Sequence, residues 1–303
     1  MATPELLAGE GTPETASETL FVEPASWRRL GHELLHSKKG LAGAIIVAIV
    51  IFVAVAAPVI TPHSPSAQDF LSANKGPTWN HPFGSDDLGR DVLTRTFYGT
   101  RVSLGLALLV VTIAATIGTL LGAAAGFLGG AAESLIMRIT DLMLVFPWLL
   151  FALLLITIMG AGFKSLLVAL SALLWLSYAR VVRAETLKLR ELEFIHASRT
   201  VGASKPRILF RHVLPNVMHT VIVLATLDIS VVIILEAGLT YLGLGLQPPT
   251  PTWGGMISDG QAFLDQSPQI MLAPGAALVL TVVGVNLLGD WLRDHFDPSL
   301  RVQ

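Results

Sequence analysis

Six apolar runs, at about residues 41–60, 102–126, 142–160, 165–183, 216–237 and 270–289, constrain this chain more than any other feature. Each is long enough to cross a hydrocarbon core of roughly 30 Å as a helix. Lipid offers backbone N–H and C=O groups no water, so a spanning segment must satisfy them itself, and a helix does so internally. The runs predict an all-α, polytopic membrane protein with six transmembrane helices in one membrane domain. Only 14% of the residues are charged, against about 25% in soluble domains.

Lysine and arginine set the expected orientation. With the N-terminus inside, the outer loops hold only Lys75, Arg90, Arg95, Arg101 and Lys164 of the 20 basic residues. Basic residues concentrate on the cytoplasmic side of membrane proteins. Both termini are therefore expected in the cytoplasm, with the chain in the plasma (inner) membrane. Residues 1–24 carry five glutamates and no Lys or Arg. They read as a disordered acidic cytoplasmic tail rather than a signal peptide. Residues 25–61 read as an interfacial helix, Trp27 to His36, followed by the first span. An external loop (62–100), a core (101–292) with a cytoplasmic loop at 184–215, and a C-terminal tail (293–303) complete the partition. In the external loop, Ser85 is placed to cap a helix whose first turn holds Asp86 and Asp87.

The absence of cysteine excludes disulfides and thiolate metal sites. A net charge of −2, with the basic residues flanking spans, gives no reason to expect a nucleic-acid partner; membrane lipid is the expected surroundings. No G-x-x-x-x-G-K-[ST] phosphate loop occurs, so ATP-driven work would need nucleotide on another polypeptide. No nucleophile–base–acid set stands out. The chain reads as a non-enzyme with no cofactor of its own.

The loop at 184–215 is the most informative segment. Within EFIHASRTVGASKPRILFRHVLPN, residues 193–216, good helix formers run to 201 and Gly202 breaks the run. Ser204 is placed to cap a second short helix, and Pro206 suits its first turn. Pro215 lacks the N–H that a helix interior needs, so it is expected to part this hairpin from the apolar run that follows. The expected shape is a stiff helix, bend and helix between two spans.

This segment resembles the EAA loop of ABC importer permeases. There an Ala-Ala pair, a Gly four residues on and a terminal Leu-Pro frame a coupling helix. Ala197-Ser198, Gly202 and Leu214-Pro215 match that frame, with Arg211-His212 before the Pro and Asn216 after it. His196 stands where the family usually has an acid. The resemblance implies that His196, Ala197, Ser198, Gly202, Ala203, Arg207, Arg211 and Pro215 couple to an ATPase. A second match lies in HPFGSDDLGRDVL, where Gly84, Asp86, Gly89, Arg90 and Asp91 fit the external motif of peptide-type permeases, with Ser85 in place of Thr. A third is LGLGLQPPTPTWGGMI, residues 242–257.

Together these matches are similar to the peptide and nickel branch of that family, of the DppC/OppC-like type, and imply the type I ABC importer permease fold. The implied partners are a second permease, two cytoplasmic ATPase subunits or one fused ATPase carrying ATP and Mg²⁺, and an extracytoplasmic binding protein. Peptides are the implied solutes, with nickel or glutathione as alternatives. External residues such as Trp79 and Trp253 are expected to meet the binding protein.

Other signals keep more than one reading. His32-Glu33-Leu34-Leu35-His36 is a literal H-E-x-x-H, which on a helix can hold zinc. Its place on the interfacial segment, with no third ligand in view, favours a membrane-surface helix over a zinc peptidase. Gly118, Gly122, Gly126 and Gly130 form a four-residue ridge that lets another helix approach, within the chain or from a partner permease. Asp228 and Glu236 lie in the fifth run, either paired inside the bundle or lining a solute path. A secondary transporter remains a distant alternative, although no inverted pair of broken helices is visible.

Overall fold

The computed structural model describes residues 27–296, so the acidic tail at 1–24 and most of the C-terminal tail lie outside the described residues. Eleven α-helices are described: α1 (Trp27–His36), α2 (Lys38–Ile60), α3 (Val92–Leu128), α4 (Gly130–Val145), α5 (Trp148–Met159), α6 (Phe163–Arg190), α7 (Glu193–Thr200), α8 (Lys205–Ile208), α9 (Leu214–Tyr241), α10 (Trp253–Gln261) and α11 (Gln269–Phe296). The one β pairing among the described residues is an isolated bridge between Ser85 and Asp91.

Five of the six apolar runs form unbroken helices long enough to cross a membrane. The third does not. Its residues divide between α4 and α5, which meet at 91°. Pro147 supplies no N–H, and Phe146 before it is held extended at φ −74°, ψ 132°, the conformation a following proline favours. Pro147 thus splits the third run in two.

α3 is the axis of the bundle, and its glycine ridge faces α6 of the same chain. A Cβ at Gly126 would lie 2.8 Å from the Arg183 carbonyl oxygen and from Thr186 Cβ, and one at Gly122 would lie 2.9 Å from Ala179 Cα. Gly118 is likewise closed off by Trp175 and Tyr178, whereas Gly130 has nothing within 4 Å. The ridge therefore serves packing inside the chain through its first three members. α2 meets α11 in the same way: a Cβ at Gly43 would come 2.6 Å from the Leu288 nitrogen.

Helix α9 is tied to its neighbours by polar rungs. Ser103 Oγ of α3 donates to Glu236 Oε2 at 2.8 Å, and Thr240 Oγ1 donates to Glu236 Oε1 at 2.9 Å. Ser230 Oγ reaches Asn286 Oδ1 of α11 at 2.7 Å. The fully buried Tyr178 of α6 sits beside Asp228. Between membrane helices such rungs contribute about 0.6 kcal/mol each on average. Apolar packing around Val110, Leu166, Leu170, Ile233 and Leu239 fills the centre of the bundle.

Candidate functional site

Opposite ends of α3 carry the two motifs. The helix has 37 residues, roughly 55 Å at 1.5 Å per residue, so the motifs are a bundle length apart.

At the C-terminal end of α3 lies the elbow. α6 stops at Arg190, and α7 follows after a turn at Glu191 and Leu192. The end of α7 is closed by a Schellman motif, with Ala203 N–H donating to Ser198 O at 3.1 Å and Gly202 N–H to Arg199 O at 3.0 Å. That closure needs a left-handed residue, and Gly202 supplies φ +86°. Ser204 holds the N-cap position of α8 but makes no side-chain cap bond, and Pro206 lies in the first turn.

Pro215 does not part the elbow from the next span. Residues 205–241 run as one helix, with a π turn at Leu209–Val213 just before the proline. The Leu214 N–H donates to Leu209 O. This wider turn lets the helix continue past a residue with no N–H to offer.

Ile195 is fully buried and packs with Phe127 of α3, Ile208 and Val213. The Arg199 guanidinium lies 5.5 Å from the Phe127 ring centroid, and the His212 ring meets Phe194 edge-on at 6.2 Å. α7 is thus fixed by one face to the roots of α3 and α9. Its other face is open: His196, Ala197, Thr200 and Val201 are exposed, Val201 at 88%. Arg207 and Arg211 are exposed as well, while Ser198 and Ala203 are half-buried and face inward. Arg190 Nη1 donates to Gly126 O at 3.2 Å, and Arg183 and Arg180 pair with Glu133 and Asp141 of α4. The base of α6 therefore holds α3, α4 and α7 together.

At the other end a self-satisfied ionic knot caps α3. Asp86 Oδ1 accepts the backbone N–H of Leu88 and Arg90 at 3.0 and 2.9 Å, while Oδ2 takes Arg90 Nε at 2.6 Å and lies 3.4 Å from Arg95 Nε. Arg95 Nη1 also donates to Pro65 O at 3.0 Å. Gly84 and Gly89 are left-handed, at φ +75° and +72°, and the Asp69 carbonyl occupies the space a Cβ on Gly89 would need. The five motif residues build one tight turn at the start of α3. Beside it, burial pushes the Asp259 carboxyl up, and the neighbouring Arg90 and Arg95 oppose that shift.

The helix here is capped by Asp91, whose Oδ2 accepts the Thr94 N–H at 2.7 Å, and not by Ser85. The Ser85 hydroxyl is spent on Ser72 and Lys75. α3 begins at Val92, so it reaches well into the segment assigned to the external loop at 62–100. Trp253 also differs from expectation. It is fully buried, with Nε1 donating to Thr96 O at 3.2 Å, and so offers no outer contact, whereas Trp79 is wholly exposed. Gly99 clears its place, since a Cβ there would come 3.1 Å from Trp253 Cδ1, a pairing with no local signature in sequence.

The H-E-x-x-H residues lie on α1. The His32 and His36 rings stack at 4.3 Å, and Glu33 pairs with His295 Nδ1 of α11 at 2.6 Å. Among the described residues no third ligand joins them.

Comparison with known proteins agrees with this architecture. Residues 118–302 match the family of binding-protein-dependent transport system inner membrane components, and residues 26–77 match the N-terminal TM domain of oligopeptide transport permease C. The dipeptide transport system permease protein DppC of Alkalihalophilus pseudofirmus is 39% identical over 96% of each chain. OppC, the oligopeptide transport system permease protein of Bacillus subtilis, is 36% identical over 91% of this chain and 90% of its own. The glutathione transport system permease protein GsiD of Pectobacterium atrosepticum is 38% identical over 91% and 92%. The chain therefore belongs to the family of binding-protein-dependent transport system inner membrane components, and it is a multi-pass permease subunit of the plasma membrane.

Proposed function

We propose that this permease subunit forms, with a second permease, the path by which short peptides enter the cell, and that α7 is its contact with the motor. The observation that carries this reading is the elbow: a short helix locked by Ile195 to the roots of two long helices, with its opposite face bare. A ligand shifts a conformational equilibrium only by binding one state better than the other. A rigid lever transmits such a preference, where a loose loop would absorb it.

In this reading residues 190–204 enter a groove on an ATPase subunit. His196, Ala197, Thr200 and Val201 make the contact, Gly202 and Ala203 hold the bend, and Arg207 and Arg211 flank it. Ser198 shapes the elbow from within, and the exposed Pro215 stands in the first turn of α9 just past it. ATP and Mg²⁺ sit on the two ATPases, or on one fused ATPase, and both termini share the cytoplasm with the elbow. The positive-inside count supports that orientation. An extracytoplasmic binding protein delivers the solute at the cap end.

The exposed apolar face of α4 and α5, with Leu142 at 67%, Val145 at 78% and Ile158 at 72%, supports a second permease or lipid as its cover. An apolar hollow of about 560 Å³, lined in part by Ile49, Val53, Phe97, Trp253 and Leu280, offers a peptide backbone few partners. This favours a path built between two permeases.

Peptide is preferred as solute because two of the three named relatives are dipeptide and oligopeptide permeases; glutathione is itself a tripeptide, and nickel has the weakest support. The test is ATP-dependent uptake by the reconstituted complex with its binding protein present. Dipeptide or oligopeptide uptake in excess of glutathione and Ni²⁺ uptake is expected. Transport by this chain alone, driven by an ion gradient, would overturn the reading.

The placement of Asp228 and Glu236 favours pairing within the bundle over the solute path. Glu236→Ala would leave Ser103 and Thr240 without their acceptor, at about 1–3 kcal/mol. Asp228→Asn and Glu236→Ala should lower the thermal midpoint while uptake per folded complex stays near wild type. A selective change in uptake at unchanged stability would put either residue in the path.

A further inference from the structure

We propose that His63, His81 and Asp91 form a binding site for a divalent transition-metal ion of the zinc type at the cap end of the bundle. One donor atom from each lies within 4.8 Å of the other two. His81 Nδ1 is already 3.0 Å from Asp91 Oδ1, and the His63 and His81 rings stack with centroids 4.9 Å apart. A tetrahedral ion with bonds of about 2.0–2.2 Å sets its donors roughly 3.3 Å from one another. The spread seen here is within reach of side-chain rotation.

His63 Nδ1 is buried and has no hydrogen-bond partner within the chain. A buried polar atom left unpaired costs free energy, and a bound ion would satisfy it. The remaining Asp91 oxygen is held by Thr94 N–H at 2.7 Å, which fixes the carboxylate with Oδ1 toward the histidines. The nearby arginines are engaged elsewhere: Arg90 Nε is 2.6 Å and Arg95 Nε 3.4 Å from Asp86 Oδ2.

Two imidazoles and one carboxylate suit zinc, nickel or copper rather than magnesium or calcium, and leave a fourth position for water. The three ligands come from residues 63, 81 and 91, so an ion would tie the chain just past α2 to the turn that caps α3. The site stands apart from the transport reading; only its exposure to metal outside the cell rests on the orientation proposed above.

The experiment uses the full chain in detergent, purified through a tag without histidine and stripped of metal, in a His32→Gln/His36→Gln background that removes the α1 pair. Titration with ZnCl₂ should show one ion bound, and CoCl₂ should give the intense visible absorption of tetrahedral cobalt. His63→Ala should weaken zinc binding at least about 100-fold, since loss of an outer-shell partner alone costs 10–100-fold. His63→Cys should restore binding and add a thiolate charge-transfer band to the cobalt spectrum. That rescue separates ligation from folding. Unchanged zinc affinity in His63→Ala, no tetrahedral cobalt band in the parent, or no recovery with cysteine would each overturn the proposal.

Discussion

Gly122→Ile should abolish stable, monodisperse permease. A Cβ at this position overlaps the Ala179 carbonyl and comes 2.9 and 3.0 Å from Ala179 Cα and C. These are backbone atoms, so no side chain can swing aside. Gly118 and Gly126, one turn to either side, hold α3 and α6 at the same close distance, so relief requires the whole helix to move. Overpacking costs about 1–3 kcal/mol, a factor of about 5 to 150 in the folded ratio, and here it also threatens the rung that Ser103 of the same helix makes to Glu236 of α9. Gly105→Ile is the matched control, since Gly105 lies on α3 with nothing within 4 Å. Size-exclusion profiles and thermal midpoints should separate the two variants sharply. Equal behaviour would mean that the α3–α6 contact is looser than described.

The second large effect concerns work rather than folding. Gly202→Val and Ala197→Trp should insert normally yet lose at least about tenfold in solute-stimulated ATP hydrolysis and uptake. At Gly202 a Cβ would meet nothing within 4 Å, so the cost is conformational. The residue sits at φ +86°, where a β-branched side chain is strained by about 1–3 kcal/mol, and the Schellman closure that aims α7 gives way. Ala197 is exposed on the bare face of α7, so indole bulk there obstructs docking without touching the core. Normal stimulated turnover in both variants would contradict the lever role.

Much of this arrangement is legible in the residues because membrane physics is strict. Long apolar runs must be helices, and the Ala197, Gly202 and Pro206 spacing foretells a helix, a bend and a helix. What stays hidden depends on contacts remote in sequence. Ser85 and Asp91 are equally good caps on local grounds. Asp91 prevails because Asp86 is committed to Arg90 and Arg95, and Ser85 to Ser72 and Lys75. Pro215 looks like a stop, yet the π turn before it carries the helix on. Pro147 has no N–H to give and holds Phe146 extended, and the span turns through 91° there. Trp253 looks like an outer aromatic until Gly99 is seen to clear its place against α3. The His63, His81 and Asp91 trio is dispersed over 29 positions, and only the folded cap draws it together.

The coupling account is tested most directly by a photo-crosslinking amino acid at position 197 in the complete importer, irradiated in native membranes with the adducts identified by mass spectrometry. Adducts joining this chain to a nucleotide-hydrolysing subunit, with yields that change when ATP is bound, are the predicted result. Adducts confined to lipid, or to this chain itself, would contradict it.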